Sequence, residues 1–175
     1  MKQNNVDVDK LKAVISEVKG DLEKAKKINK IEGEWNLGEG PQFLSEIGFE
    51  KGKVTLKADQ PSFMGGGGTQ PGPMHYCLFG LASCYTATFV TMASMEGVKL
   101  KKVRVSAEGK MDFSRVFGLS NNPITGGIKI TLFVESDAPE KEIKRIESLA
   151  YERCPAVYCL TNAIKLETGL TIERK

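Results

Sequence analysis

At 175 residues, with 41% hydrophobic and 27% charged side chains, the chain has the size of one globular domain, able to bury a core without disulfides or metals and too apolar for wholesale disorder. Its 25 basic and 22 acidic residues leave a net charge of only +3, with Lys scattered among Glu and Asp. Nucleic-acid binding needs a concentrated basic stripe with aromatic platforms, which the sequence lacks.

The first ten residues are polar and contain no apolar run of the kind a signal peptide carries. A cytoplasmic location is therefore expected, and with it reduced thiols. The spacing from Val6 to Ile28 predicts a helix, because Val8, Leu11, Val14, Ile15, Val18, Leu22 and Ala25 recur every three or four residues. Gly20 is a candidate break within it. Lys30–Asn36, Gln42–Phe49 and Lys53–Lys57, separated by Gly and Pro, are predicted antiparallel strands, with Lys51-Gly52 at a turn centre. Asp59 to Pro73 reads as a loop. Its run Gly65–Gly68 lacks the following Gly-Lys-Ser/Thr of a phosphate cradle, so it is expected to be a flexible entry loop.

Met74 to Met95 runs for 22 residues without a charged side chain. That length could cross a bilayer, but His75, Gly80, Ser83, Thr86, Thr88, Thr91 and Ser94 dilute it, and a buried central helix is expected instead of a membrane span. Strands follow at Lys101–Met111 and Ile128–Glu135, with an irregular loop between them. Pro139 opens a helix to about Tyr151, and Cys154-Pro155 opens a shorter one to about Ala163. Ile164–Leu166 and Leu170–Ile172 suggest a closing hairpin around Gly169. Strands come in consecutive groups instead of alternating with helices, which predicts an α+β domain with antiparallel sheet.

The chemistry rests on four cysteines, Cys77, Cys84, Cys154 and Cys159. In a reducing compartment these point to core packing, metal binding or redox work, not to a disulfide framework. Cys84, in mid-helix, reads by position alone first as a small core hydrophobe and only second as a functional thiol. Cys154 precedes Pro155 at a helix start, where free amides and the helix dipole favour a thiolate. The spacings of the cysteines and His75 match no common zinc pattern, so no metal is expected, and no cofactor.

The segment from Pro73 through Met74, His75, Tyr76 and Cys77 to Cys84, Tyr85 and Thr86 is a proline-led helix entering a small-residue run that ends in Cys. It resembles the hallmark of the OsmC/Ohr family, and Cys154-Pro155-Ala156-Val157-Tyr158 resembles that family's second hallmark. The resemblance covers roughly Lys30 onward and divides the chain into an N-terminal helical extension, 1–29, and an OsmC-like domain, 30–175. It implies an intertwined homodimer, with antiparallel sheets wrapped around central helices. It also implies a thiol-dependent reductase of organic hydroperoxides or hydrogen peroxide in oxidative-stress defence, with Cys84 peroxidatic, Cys154 resolving and an external dithiol as reductant. Met74, His75, Phe79, Tyr85 and Phe89 are the expected lining of the substrate pocket. Hydroperoxidases of the family carry a Glu at the position of Met74 and an Arg in an N-terminal strand, whereas this chain has no Arg before Arg104. The alternative is therefore a dimer of the same fold that binds a hydrophobic small molecule without peroxidase activity.

Overall fold

The structure, a computed structural model, describes residues 1–173. An N-terminal hairpin of β1 (Lys2–Gln3) and β2 (Val6–Asp7) leads into helix α1 (Val8–Gly20). Asn4 and Asn5 form its two-residue turn, both with positive φ (48° and 66°), a conformation asparagine tolerates better than most residues. Asp7 caps α1 by accepting a hydrogen bond from the Lys10 amide at 3.1 Å. The predicted helix over 6–28 is shorter than expected. It stops at Gly20, and a single 3₁₀ turn, Leu22–Ala25, follows.

Strands β3 (Glu34–Trp35), β4 (Phe43–Phe49) and β5 (Gly52–Ala58) form an antiparallel meander. Phe49 pairs with Gly52, so Glu50-Lys51 occupies the turn and the expected Lys51-Gly52 centre is shifted by one residue. The glycine-rich loop is more ordered than an entry loop need be. Buried Asp59 accepts hydrogen bonds from the Thr69 amide (2.9 Å) and hydroxyl (2.8 Å) and from the Gly67 amide (3.4 Å). These bonds hold its carboxyl below the usual range. A Cβ on Gly66 would lie 2.0 Å from the Gln60 carbonyl oxygen, so this close approach requires glycine.

Helix α2 (Pro73–Met95) starts with Pro at its first turn. The hairpin β6 (Leu100–Met111) and β7 (Thr125–Ser136) follows, then α3 (Glu140–Arg153) and α4 (Pro155–Thr161). α2 lies between the β6–β7 sheet and the pair α3–α4. Leu81, Tyr85, Phe89 and Ala93, four residues apart, form one buried stripe that meets Ile146, Ala150 and Val157, with Val103, Ile130, Leu132 and Val134 packed around it. At 23 residues, with a mean hydropathy of 1.4 over its most apolar 18, α2 is long and apolar enough to cross a bilayer. Here it is the central strut of a folded domain. Outside that stripe only Ser94, beneath the N-terminal hairpin, is buried, and Phe79 on another face is 71% exposed.

The architecture is α+β with antiparallel sheets, as the order of elements predicts. The closing hairpin does not form. Residues 162–173 carry no strand, and Leu166 and Leu170 are 85% and 87% exposed. An isolated two-stranded ribbon is marginal in water, and these short apolar runs have no sheet to join within the protomer.

Candidate functional site

The reactive geometry arises where α2 passes the α3–α4 corner. Helix α3 ends as the Cys154 amide donates to the Ala150 carbonyl at 3.0 Å, and the next residue, Pro155, starts α4. Cys154 is thus both the last cap of one helix and the first of another, and it is fully buried. Cys84 comes from the middle of α2, one residue before the buried Tyr85 of the core stripe, and is half-buried. The Cys154 thiol donates to the Cys84 sulfur with 3.6 Å between the sulfurs, across 70 residues of sequence. A disulfide needs about 2.05 Å, so the two sulfurs are in contact but not bonded.

Burial pushes the Cys84 thiol above the ordinary thiol pKa. The Ala156 amide counters this, while Cys154 raises it further. Ala156 sits in the first turn of α4, where amides lack helical partners. The thiolate-favouring end of the Cys-Pro helix therefore serves Cys84, although the sequence suggested Cys154 as its beneficiary. Among the described residues, the strongest influences on Cys84 include no cation.

The other expected pocket residues are not gathered around one cavity. Met74 lines a cavity of about 300 Å³ with Cys77, Leu78, Leu81 and Leu160. Phe79 lies on the rim of an apolar cavity of about 550 Å³ walled by Ile31, Trp35, Phe43, Leu56 and Tyr76. His75 is a cap, its Nδ1 accepting from the Gly72 amide at 3.2 Å. Tyr85 and Phe89 form the packed wall behind Cys84. The Tyr85 hydroxyl donates to Glu147 of α3, and burial together with that carboxylate drives its pKa well up.

Three contributors escaped the sequence: the Ala156 amide, Glu147, and the apolar cavity above β3–β5. Only the cavity left a trace in the pattern, as Trp35, Phe43 and Leu56, one apolar residue from each of the three strands. Among the described residues no group of three or more His, Cys, Asp and Glu side chains could hold a metal ion.

The family model described as OsmC-like protein matches residues 65–169. No curated protein matches. Among solved structures, an OsmC-like protein from Mycoplasma pneumoniae is similar at a TM-score of 0.58 and 24% identity, covering 78% of this chain and 89% of its own. A protein from Aquifex aeolicus is similar at 0.56 and 18%, covering 78% and 89%. A Legionella pneumophila protein described as organic hydroperoxide resistance protein OsmC is similar at 0.55 and 17%, covering 77% and 91%. At these identities the likeness establishes a shared fold.

Proposed function

This chain belongs to the OsmC-like protein family, and on that footing we propose that it is a cysteine-dependent reductase of hydroperoxides, organic or hydrogen peroxide, serving oxidative-stress defence in the cytoplasm. The observation that carries the reading is the 3.6 Å separation of the Cys84 and Cys154 sulfurs. The Cys84 thiolate attacks a peroxide oxygen. The O–O bond breaks, the alcohol leaves with a proton, and Cys84 becomes a sulfenic acid. Cys154 attacks that sulfur, water departs, and a disulfide closes. An external dithiol then returns both cysteines to thiols. This sequence of steps consumes no cofactor.

The reading includes a homodimer made by the OsmC-like domain, 30–175, with residues 1–29 as an extension. The support is the apolar surface left open in one protomer. Trp35, Phe43, Phe79 and Phe133 are exposed, and α2 carries no charge on its uncovered faces. In such a dimer the expected lining residues Met74, His75 and Phe79 bound the substrate approach, and Tyr85 and Phe89 back it.

A second reading, a dimer of this fold that holds a hydrophobic small molecule without turning over peroxide, is favoured by the apolar cavity of about 550 Å³. Stopped-flow mixing of reduced protein with cumene hydroperoxide separates the two. The first reading predicts consumption that Cys84→Ser abolishes. Equal, slow loss with both proteins leaves the binding reading in its place.

A further inference from the structure

The α2–α3 interface carries two directed contacts besides its apolar packing. The Tyr85 hydroxyl of α2 donates to Oε1 of Glu147 on α3. The residue beside it in α2, Cys84, meets Cys154 at the C-terminal cap of α3, with 3.6 Å between the sulfurs. Glu147 precedes Cys154 by seven residues, two turns of helix or about 10.5 Å along α3. Two adjacent residues of one helix are thus tied to two levels of the other.

A single contact lets two helices pivot about it, and a second contact displaced along the axis removes that freedom. Leu81, Phe89 and Ala93 pack against Ile146 and Ala150 and hold the helices together, but apolar burial is non-directional. A hydrogen bond to a carboxylate is directional and strong, and a partly buried setting strengthens it further. Tyr85 is only 3% exposed, so its ring cannot swing out without opening the core. A buried phenol needs a partner, and here the partner stands on the helix that ends in Cys154.

We propose that the Tyr85–Glu147 hydrogen bond is a latch that keeps the Cys84 and Cys154 sulfurs in contact and so sets how readily their disulfide closes. Tyr85 and Glu147 are positioning residues. The latch acts on the second step of the proposed cycle, in which Cys154 attacks the Cys84 sulfenic acid, the S–S bond forms and water leaves. It does not act on the first attack on peroxide. With the latch made, the dithiol is already restrained near the geometry of the disulfide. Without it, the dithiol gains freedom that closure must remove. The inference rests on the proposed disulfide between Cys84 and Cys154.

The test equilibrates the full chain in mixtures of reduced and oxidised glutathione. The exposed Cys77 and Cys159 are replaced by Ser throughout, so that only the inner pair titrates. Closing the disulfide passes two electrons and two protons to one oxidised glutathione and yields two reduced ones. Tyr85→Phe and Glu147→Ala should each lower the equilibrium constant for closure about tenfold. Glu147→Gln keeps an acceptor oxygen without the charge and should stay within about threefold of the parent. Glu147→Ala should also prolong the Cys84 sulfenic acid, read by dimedone trapping after cumene hydroperoxide, while the stopped-flow rate of first attack is unchanged. Should Tyr85→Phe fail to fold, the Ala and Gln variants of the half-buried Glu147 carry the same comparison. Equilibrium constants equal to the parent's in Tyr85→Phe and Glu147→Ala overturn the latch. So does Glu147→Gln falling as far as Glu147→Ala, which would mark an effect of charge. If glutathione closes the disulfide with the expected losses in the variants but no protein consumes peroxide, the latch stands and the peroxidase reading falls.

Discussion

Cys84, the proposed nucleophile, is set in conflicting surroundings. Burial and the adjacent Cys154 favour its neutral thiol, and one backbone amide, that of Ala156, favours the thiolate. Because the thiolate is the attacking species and its pKa is raised, only a small fraction is ionised at neutral pH. Peroxide consumption should therefore rise about tenfold per pH unit between pH 7 and pH 8 and keep rising above the ordinary thiol range. A pH–rate profile by stopped flow checks this, and a plateau already reached at pH 6 would show a thiolate stabilised by some group the protomer lacks. Both cysteines could be singled out from their local motifs, a small-residue helix for Cys84 and a Cys-Pro helix start for Cys154. Their pairing could be inferred only from family resemblance, because local pattern carries no information about two residues 70 apart. The Ala156 contact was illegible for the same reason. The sequence places that amide at a helix N-terminus but not which sulfur faces it.

The elements were legible where amphipathic period and punctuation agree, as in β4, β5, β6 and the proline-led starts of α2 and α4. They were misjudged where stability depends on a partner, as in the missing C-terminal hairpin. The N-terminal hairpin shows the reverse case, an element too short to predict that is held by the Asn4 side chain and by Ser94 Oγ, which donates to the Gln3 carbonyl at 3.2 Å. Asn4 Nδ2 donates to Ser94 Oγ (3.0 Å) and to the Val98 carbonyl (2.8 Å), and its Oδ1 accepts from the Leu100 amide (3.0 Å). It thereby ties residues 1–7 to the junction of α2 and β6. Asn4→Ala removes these bonds and places a Cβ residue without the side-chain compensation of asparagine at positive φ, so it should cost about 2–3 kcal/mol in urea denaturation. Asn5→Gly, which relieves a positive φ with no such contacts, should change stability by less than about 1 kcal/mol. Equal losses at the two positions would mean that the turn conformation, not the clasp, holds the hairpin.

At the scale of the whole molecule, the uncharged length of α2 was correctly placed at the centre of the fold, but the expected burial holds for the Leu81–Ala93 stripe and Ser94, not for its other faces. The discrepancy has a physical source: composition shows how much apolar surface a chain carries, not whether its own residues or a second copy cover it. Light scattering should return twice the protomer mass, and Phe79→Glu, which puts a charge on an exposed apolar face, should shift it toward the monomer. A monomeric wild type would remove the dimer from the account. The family fold, the inner cysteine pair and its buried wall together make one central claim, that peroxide converts Cys84 and Cys154 into a disulfide. The direct measurement is alkylation mass spectrometry of reduced protein quenched within the first turnover after one equivalent of cumene hydroperoxide. The account predicts a peptide pair joined through Cys84 and Cys154, with Cys77 and Cys159 still alkylated at that time. Cys84 and Cys154 both recovered as free thiols beside unconsumed peroxide would contradict it.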